Sequence, residues 1–78
     1  MNLQEIEKIV TDIVVDKLGV SNAQITIDST FKDLGADSLD QVEIIIELEK
    51  VFGISIPDNI LSEVQNIESL CSYIEKNT

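Results

Sequence analysis

The sequence predicts an all-α fold: a four-helix bundle with three longer helices, one short helix and a long first loop. Three observations carry that expectation. Apolar residues recur at helical spacing in three separate stretches, glycines close two of them, and no two strand-like runs exist that could pair into a sheet. With 78 residues, 44% of them hydrophobic, the chain is one domain that can pack a core. It stands near the size at which burial only just outweighs chain entropy.

Residues 2–18 read as the first helix. Asn2 caps it, with Glu5 three residues later in a box-like arrangement. Leu3, Ile6, Val10, Ile13, Val14 and Leu18 follow helical spacing, Glu5, Asp12 and Asp16 lie largely opposite, and Gly19 ends the run. Residues 20–37 form a long connection. Ile25 and Ile27 alternate as in a strand but have no partner run, so they are expected to plug the core from a loop. Ser29 to Leu34 fits one short helical turn anchored by Phe31 and Leu34. A loop of this length in so small a domain is uncommon without a function.

The second helix should run from Ser38 to Phe52 and stop at Gly53. At about 100° per residue, Ile44, Ile45, Leu48, Val51 and Phe52 share one side, which is assigned to the core. The opposite side carries Leu39, Glu43, Ile46 and Lys50, flanked by Asp40, Glu47 and Glu49. Two aliphatics framed by carboxylates resemble a protein-docking strip, apolar in the middle and charged at the rim. Ile54 to Pro57 is extended, because a residue before proline avoids the helical region. Asp58 is positioned to cap a short third helix over about 59–63. Asn66 is positioned to cap the last, about 67–76, with Ile67, Leu70, Cys71 and Ile74 on one face. Cys71 on that stripe reads as a small core residue.

Charge narrows the function. Fifteen acids against five lysines, with no arginine or histidine, give a net charge of −10. Such a surface repels nucleic acid and anionic membranes and attracts proteins with basic patches. One cysteine and no histidine leave no disulfide and no zinc or haem site of the usual kinds. From Asp28 the alternate positions are Thr30 and Lys32, so EF-hand spacing fails and no dedicated metal site is expected. No apolar run is long enough to span a bilayer, and the opening residues are acidic, unlike a transit peptide. The expectation is a cytoplasmic, monomeric protein without membrane insertion.

One stretch concentrates the chemistry: Asp33-Leu34-Gly35-Ala36-Asp37-Ser38-Leu39-Asp40. Asp37 and Ser38 stand where the second helix wants its N-cap, which leaves a hydroxyl beside free backbone N–H groups on a rigid element. Helix N-termini favour phosphate, so Ser38 is suited to carry a phosphodiester. A hydrolase would need a base and an oxyanion site. The serine lacks the G-x-S-x-G elbow and no histidine exists to take its proton. No catalytic residue is therefore assigned, and Ser38 reads as an attachment point.

The octet, followed by Val42-Glu43 and later by Phe52-Gly53-Ile54 and Ile56-Pro57-Asp58, resembles the signature of acyl carrier proteins. The resemblance covers nearly the whole chain, so residues 1–78 are expected to form one carrier domain. It implies that a separate phosphopantetheinyl transferase esterifies Ser38 with 4′-phosphopantetheine from coenzyme A, with Asp37 and Leu39 beside it. The thiol of that group would hold an acyl chain as a thioester. It implies that Asp37, Leu39, Asp40, Glu43, Ile46, Glu47 and Glu49 meet basic docking patches on fatty acid synthesis enzymes. It also implies that the acyl cargo enters beside the second helix among Val42, Ile45, Leu48 and Phe52, residues that equally well pack an unloaded core.

The resemblance is to a free-standing carrier of fatty acid synthesis. A specialised carrier for a polyketide, lipid or aminoacyl pathway is the alternative within the class, and an unmodified acidic protein-binding module the alternative outside it. Lys50 and the segments 58–63 and 66–71 depart from the pattern usual among the fatty-acid carriers. The charge generates a prediction of its own. Self-repulsion should relax as the Debye length shrinks from roughly 30 Å at 0.01 M to about 3 Å at 1 M salt. The melting temperature is therefore expected to rise with ionic strength, and an unchanged value would contradict the self-repulsion argument.

Overall fold

The computed structural model describes residues 2–61 and 66–78. Three long helices, α1 (Leu3–Leu18), α2 (Ser38–Phe52) and α4 (Ile67–Asn77), are joined by a single 3-10 turn at Asn22–Gln24 and a short helix α3 (Asp58–Leu61). This is the expected bundle, and the long helices start and stop within a residue of their expected ends. The third helix begins at Asp58 itself rather than one residue later. The remainder of the range expected for it, 62 and 63, lies outside the described residues.

Local chemistry explains the boundaries. Asn2 accepts the Glu5 N–H at 2.9 Å and Asn66 accepts the Ser69 N–H at 2.8 Å, each satisfying a first-turn donor. Gly19 (φ 70°) and Gly53 (φ 66°) close α1 and α2 in the left-handed region, each donating its N–H to the helix behind it. The first donors of α4 are met from outside the helix. Ile67 N–H reaches the Ser29 carbonyl at 3.0 Å and Glu68 N–H the Ile27 carbonyl at 2.9 Å, beside an isolated antiparallel bridge between Thr30 and Asn66. The long first loop thus serves as the cap of α4.

α1 packs against both α4 and α2. Ile6, Val10 and Val14 face Ile44, Ile45 and Leu48 of α2 and Ile67, Leu70, Cys71 and Ile74 of α4 in one buried cluster, which Phe31, Leu34 and Ile56 complete from the loops. Two expectations need correction. Val51 was assigned to the core by periodicity but is 48% exposed. It sits in the last turn of α2, where the chain reverses at Gly53 and Phe52 and Ile54 pack against the core edge instead. Ile27 was expected to plug the core but is 46% exposed, while Ile25 packs against it. The role of Ile27 in closing the fold is its carbonyl. The buried Ser29 is satisfied, its hydroxyl accepting the Thr26 N–H at 3.0 Å.

Ile74 is fully buried. Truncation to alanine should cost about 2–5 kcal/mol, against a total of roughly 5–15 kcal/mol for a domain of this kind. Urea unfolding of Ile74→Ala is expected to show a midpoint lowered by a large fraction of the wild-type value. A shift no larger than that of an exposed-site control such as Lys76→Ala would contradict the packing described.

Candidate functional site: the start of the second helix

Phe31 and Leu34 are buried and hold the turn that leads into α2. Leu34 N–H donates to Thr30 O at 3.2 Å and Ala36 N–H to Phe31 O at 2.9 Å, while Thr30 and Asp33 exchange side-chain and backbone bonds at 3.0 and 3.3 Å. The turn closes through Gly35, whose φ of 81° is strained for any residue with a Cβ. Nothing lies within 4 Å of where that Cβ would sit, so the glycine answers to the backbone and not to crowding.

Asp37 is the N-cap of α2. Its carboxylate accepts the Asp40 N–H at 2.9 Å, and the Asp40 carboxylate accepts the Asp37 N–H at 3.3 Å, a reciprocal capping box. Ser38 is consequently the first helical residue, exposed, with its position fixed on both sides. Of the two residues that stand where the cap is wanted, the box makes Asp37 the cap.

The expected docking side of α2 is arranged as follows. Leu39 is 65% and Ile46 44% exposed, Glu43 and Lys50 are exposed, and Asp40 and Glu47 are half-buried. Glu49 stands apart. It is half-buried at the edge of the strip and accepts the Ile56 N–H at 2.7 Å across the turn that follows α2. Spacing along the sequence carries no sign of this bond, because the two residues lie on different elements. Of the residues tied to cargo by resemblance, Ile45 and Leu48 are buried, Phe52 packs against the core edge and Val42 is 45% exposed. None of these four lines the surface groove of about 390 Å³, which runs between α1 and the first loop beside Thr11, Ile25, Thr26 and Ile67.

Cys71 is buried in α4, and burial, reinforced by the negative charge of Glu7, pushes its thiol from 9.0 up to about 12. Among the described residues no helix is long and apolar enough to cross a membrane, and no three acidic, cysteine or histidine side chains converge as a metal site would require.

Comparison with known proteins shows the family. The sequence profile of the phosphopantetheine attachment site family matches residues 8–74. An acyl carrier protein of Porphyromonas gingivalis is 47% identical over 76 residues, spanning 96% of this chain and 97% of its own length. Acyl carrier proteins of Chloroherpeton thalassium and Amoebophilus asiaticus are 48% and 44% identical, each over 75 residues that span 95% of this chain and 94% of theirs. The chain belongs to the acyl carrier proteins, the family whose prosthetic group is phosphopantetheine.

The buried thiol gives a prediction with two readouts. Between pH 9 and 12 the unfolded thiol ionises while the native one keeps its proton, so the native state binds more protons and stability falls as pH rises. Cys71→Ala is expected to lose less stability across that window than the wild type. The native wild-type thiol is expected to resist alkylation at neutral pH and to react once urea unfolds the chain. Rapid alkylation of the native chain would contradict the burial.

Proposed function

We propose that Ser38 carries 4′-phosphopantetheine and that the chain shuttles acyl groups among fatty acid synthesis enzymes, performing none of the chemistry itself. The observation that carries the reading is the placement of Ser38: an exposed hydroxyl on the first residue of a capped helix, inside the octet that the family shares. Ser29, by contrast, is buried and hydrogen-bonded to Thr26, and is not presented for modification. The donor set fits a phosphodiester only in part. With the Asp40 N–H taken by Asp37, the first-turn N–H groups of Ser38 and Leu39 are left to face the anion, and the helix dipole adds at most about 1 kcal/mol. The carboxylates of Asp37 and Asp40 oppose it. A covalent bond makes tight binding of the phosphate unnecessary, and a weakly held arm is free to swing.

When attached, the group supplies a thiol that holds the acyl chain as a thioester. The chain's own residues do the rest. Asp37 and Asp40 hold the attachment point at a fixed helix start. Leu39 and Ile46, with Glu43 and Glu47 at the rim, offer a strip for partners bearing lysine and arginine, the transferase among them. Exposed ion pairs are individually worth under about 1 kcal/mol, so docking is fast, weak and weakened by salt. Such a surface suits a cytoplasmic carrier that visits many enzymes in turn. The apolar wall of Ile45, Leu48 and Phe52 is where the core would part to admit cargo.

Incubation with coenzyme A and a broad-specificity phosphopantetheinyl transferase, followed by intact mass measurement, tests the reading. The expected result is one phosphopantetheinyl addition to the native chain and none to Ser38→Ala. Addition to both proteins would move the site elsewhere. Addition to neither would leave an unmodified acidic binding module as the account.

A further inference from the structure

The surface groove of about 390 Å³ between α1 and the first loop has no part in the reading of Ser38, and no residue of α2 lines it. Part of its lining is aliphatic: Ile67 is buried, Ile25 is half-buried against the core, and Ile27 is largely exposed. The charged part comes from α1, with Glu7, Lys8 and Asp12. Lys8 is already paired, its ammonium 3.2 Å from the Asp12 carboxylate. Glu7 is not. Its carboxylate is half-buried and, among the described residues, neither pairs with a cation nor accepts a hydrogen bond. Its charge is felt at the buried Cys71, so it stands close to the packing of α1 on α4. A carboxylate in that setting has lost part of its hydration without gaining a partner, and of the groups in the groove it has most to gain from a cation.

The lining selects the occupant. An acyl chain would cover the Glu7 carboxylate and pair with nothing. A divalent cation needs several converging oxygens, and among the described residues no three acidic side chains converge. An aliphatic stem with a cationic head answers both parts of the lining. Arginine answers them better than lysine, because its planar fork meets both oxygens of a carboxylate and its charge is less strongly hydrated. The volume lies at the small end of the range of about 300–1,000 Å³ for ligand pockets, which suits a side chain. A chain of net charge −10 draws surfaces that carry such residues. We propose that this groove is a docking site separate from the α2 face, and that its occupant is an arginine of a partner protein flanked by an aliphatic residue. The guanidinium sits on Glu7, the stem lies along Ile25 and Ile67, and the aliphatic neighbour covers Ile27. The two surfaces share no residue, so the proposal does not depend on the loading of Ser38 or on docking at α2.

NMR titration of the isotope-labelled full chain with the peptide acetyl-Leu-Arg-Leu-amide tests the site. Saturable shifts of the Ile25 and Ile27 amides are expected, with affinity that falls as salt is added. Affinity is expected to drop about fivefold or more in Glu7→Gln. A similar drop is expected when citrulline, a neutral isostere, replaces the arginine of the peptide, an arm that leaves the protein unaltered. Glu75→Gln removes one charge from the exposed last turn of α4 and is expected to bind as the wild type does, which separates pairing at Glu7 from net charge. Shifts confined to α2, or no saturable shifts, would overturn the site. Undiminished binding by Glu7→Gln, equal weakening in both variants, or equal affinity for the citrulline peptide would overturn the ion pair that defines it. Equal or tighter binding of the corresponding lysine peptide would overturn the assignment to arginine.

Discussion

Three aliphatic stripes have to close on one another in a chain whose surface repels itself. Ile6, Val10 and Val14 on α1, Ile44, Ile45 and Leu48 on α2, and Ile67, Leu70, Cys71 and Ile74 on α4 form the buried cluster, and α1 is the member that touches both others. Ion pairs add little against the excess of carboxylates. Lys8 and Asp12 meet at 3.2 Å on the surface of α1, a pair worth about 0.3–0.5 kcal/mol. Burial of branched aliphatics therefore carries the fold, and the remaining residues are arranged so that the stripes meet in register.

That arrangement is made largely by side chains at element boundaries. Asn2, Asp37 and Asn66 each cap a long helix, and the 20–37 loop lends two carbonyls to the start of α4. The capping box at Asp37 has the most direct bearing on function. Within α2 each residue is turned by about 100° from the last, so Ser38 and the Leu39/Ile46 strip keep fixed angles to the buried Ile44, Ile45 and Leu48, and the box fixes where that helix begins. The proposed attachment point and the acidic strip thus share one helix whose start is set by a pair of aspartates. Structure and function meet at a cap.

Much of this was legible because it depends on local signals. Helix starts at Asn2 and Asn66 and stops at Gly19 and Gly53 follow from the chemistry of single residues, and the stripe on α4 follows from periodicity. The octet around Ser38 was legible for a different reason, as a pattern specific to a family. What sequence did not reveal depends on contacts between distant segments. Val51 has the right phase for the core but lies where α2 runs out of neighbours, and periodicity contains no information about where a helix outlasts its partner. Ile27 contributes a carbonyl rather than a side chain, and backbone groups leave no mark on composition. Glu49 reads as one more acid on a polar face, although it reaches seven residues ahead to Ile56. Side-chain pins of that kind become visible only when the chain has turned back at Gly53.

The central claim is that this chain is a carrier loaded at Ser38. Its most direct test is fragmentation mass spectrometry of the protein recovered from its own cells under conditions that preserve thioesters. The account predicts phosphopantetheine on the peptide containing Asp37-Ser38-Leu39, with the fragment series assigning it to Ser38 and a part of the population bearing acyl groups on the thiol. A chain recovered without the group, or with it on another serine, would contradict the account.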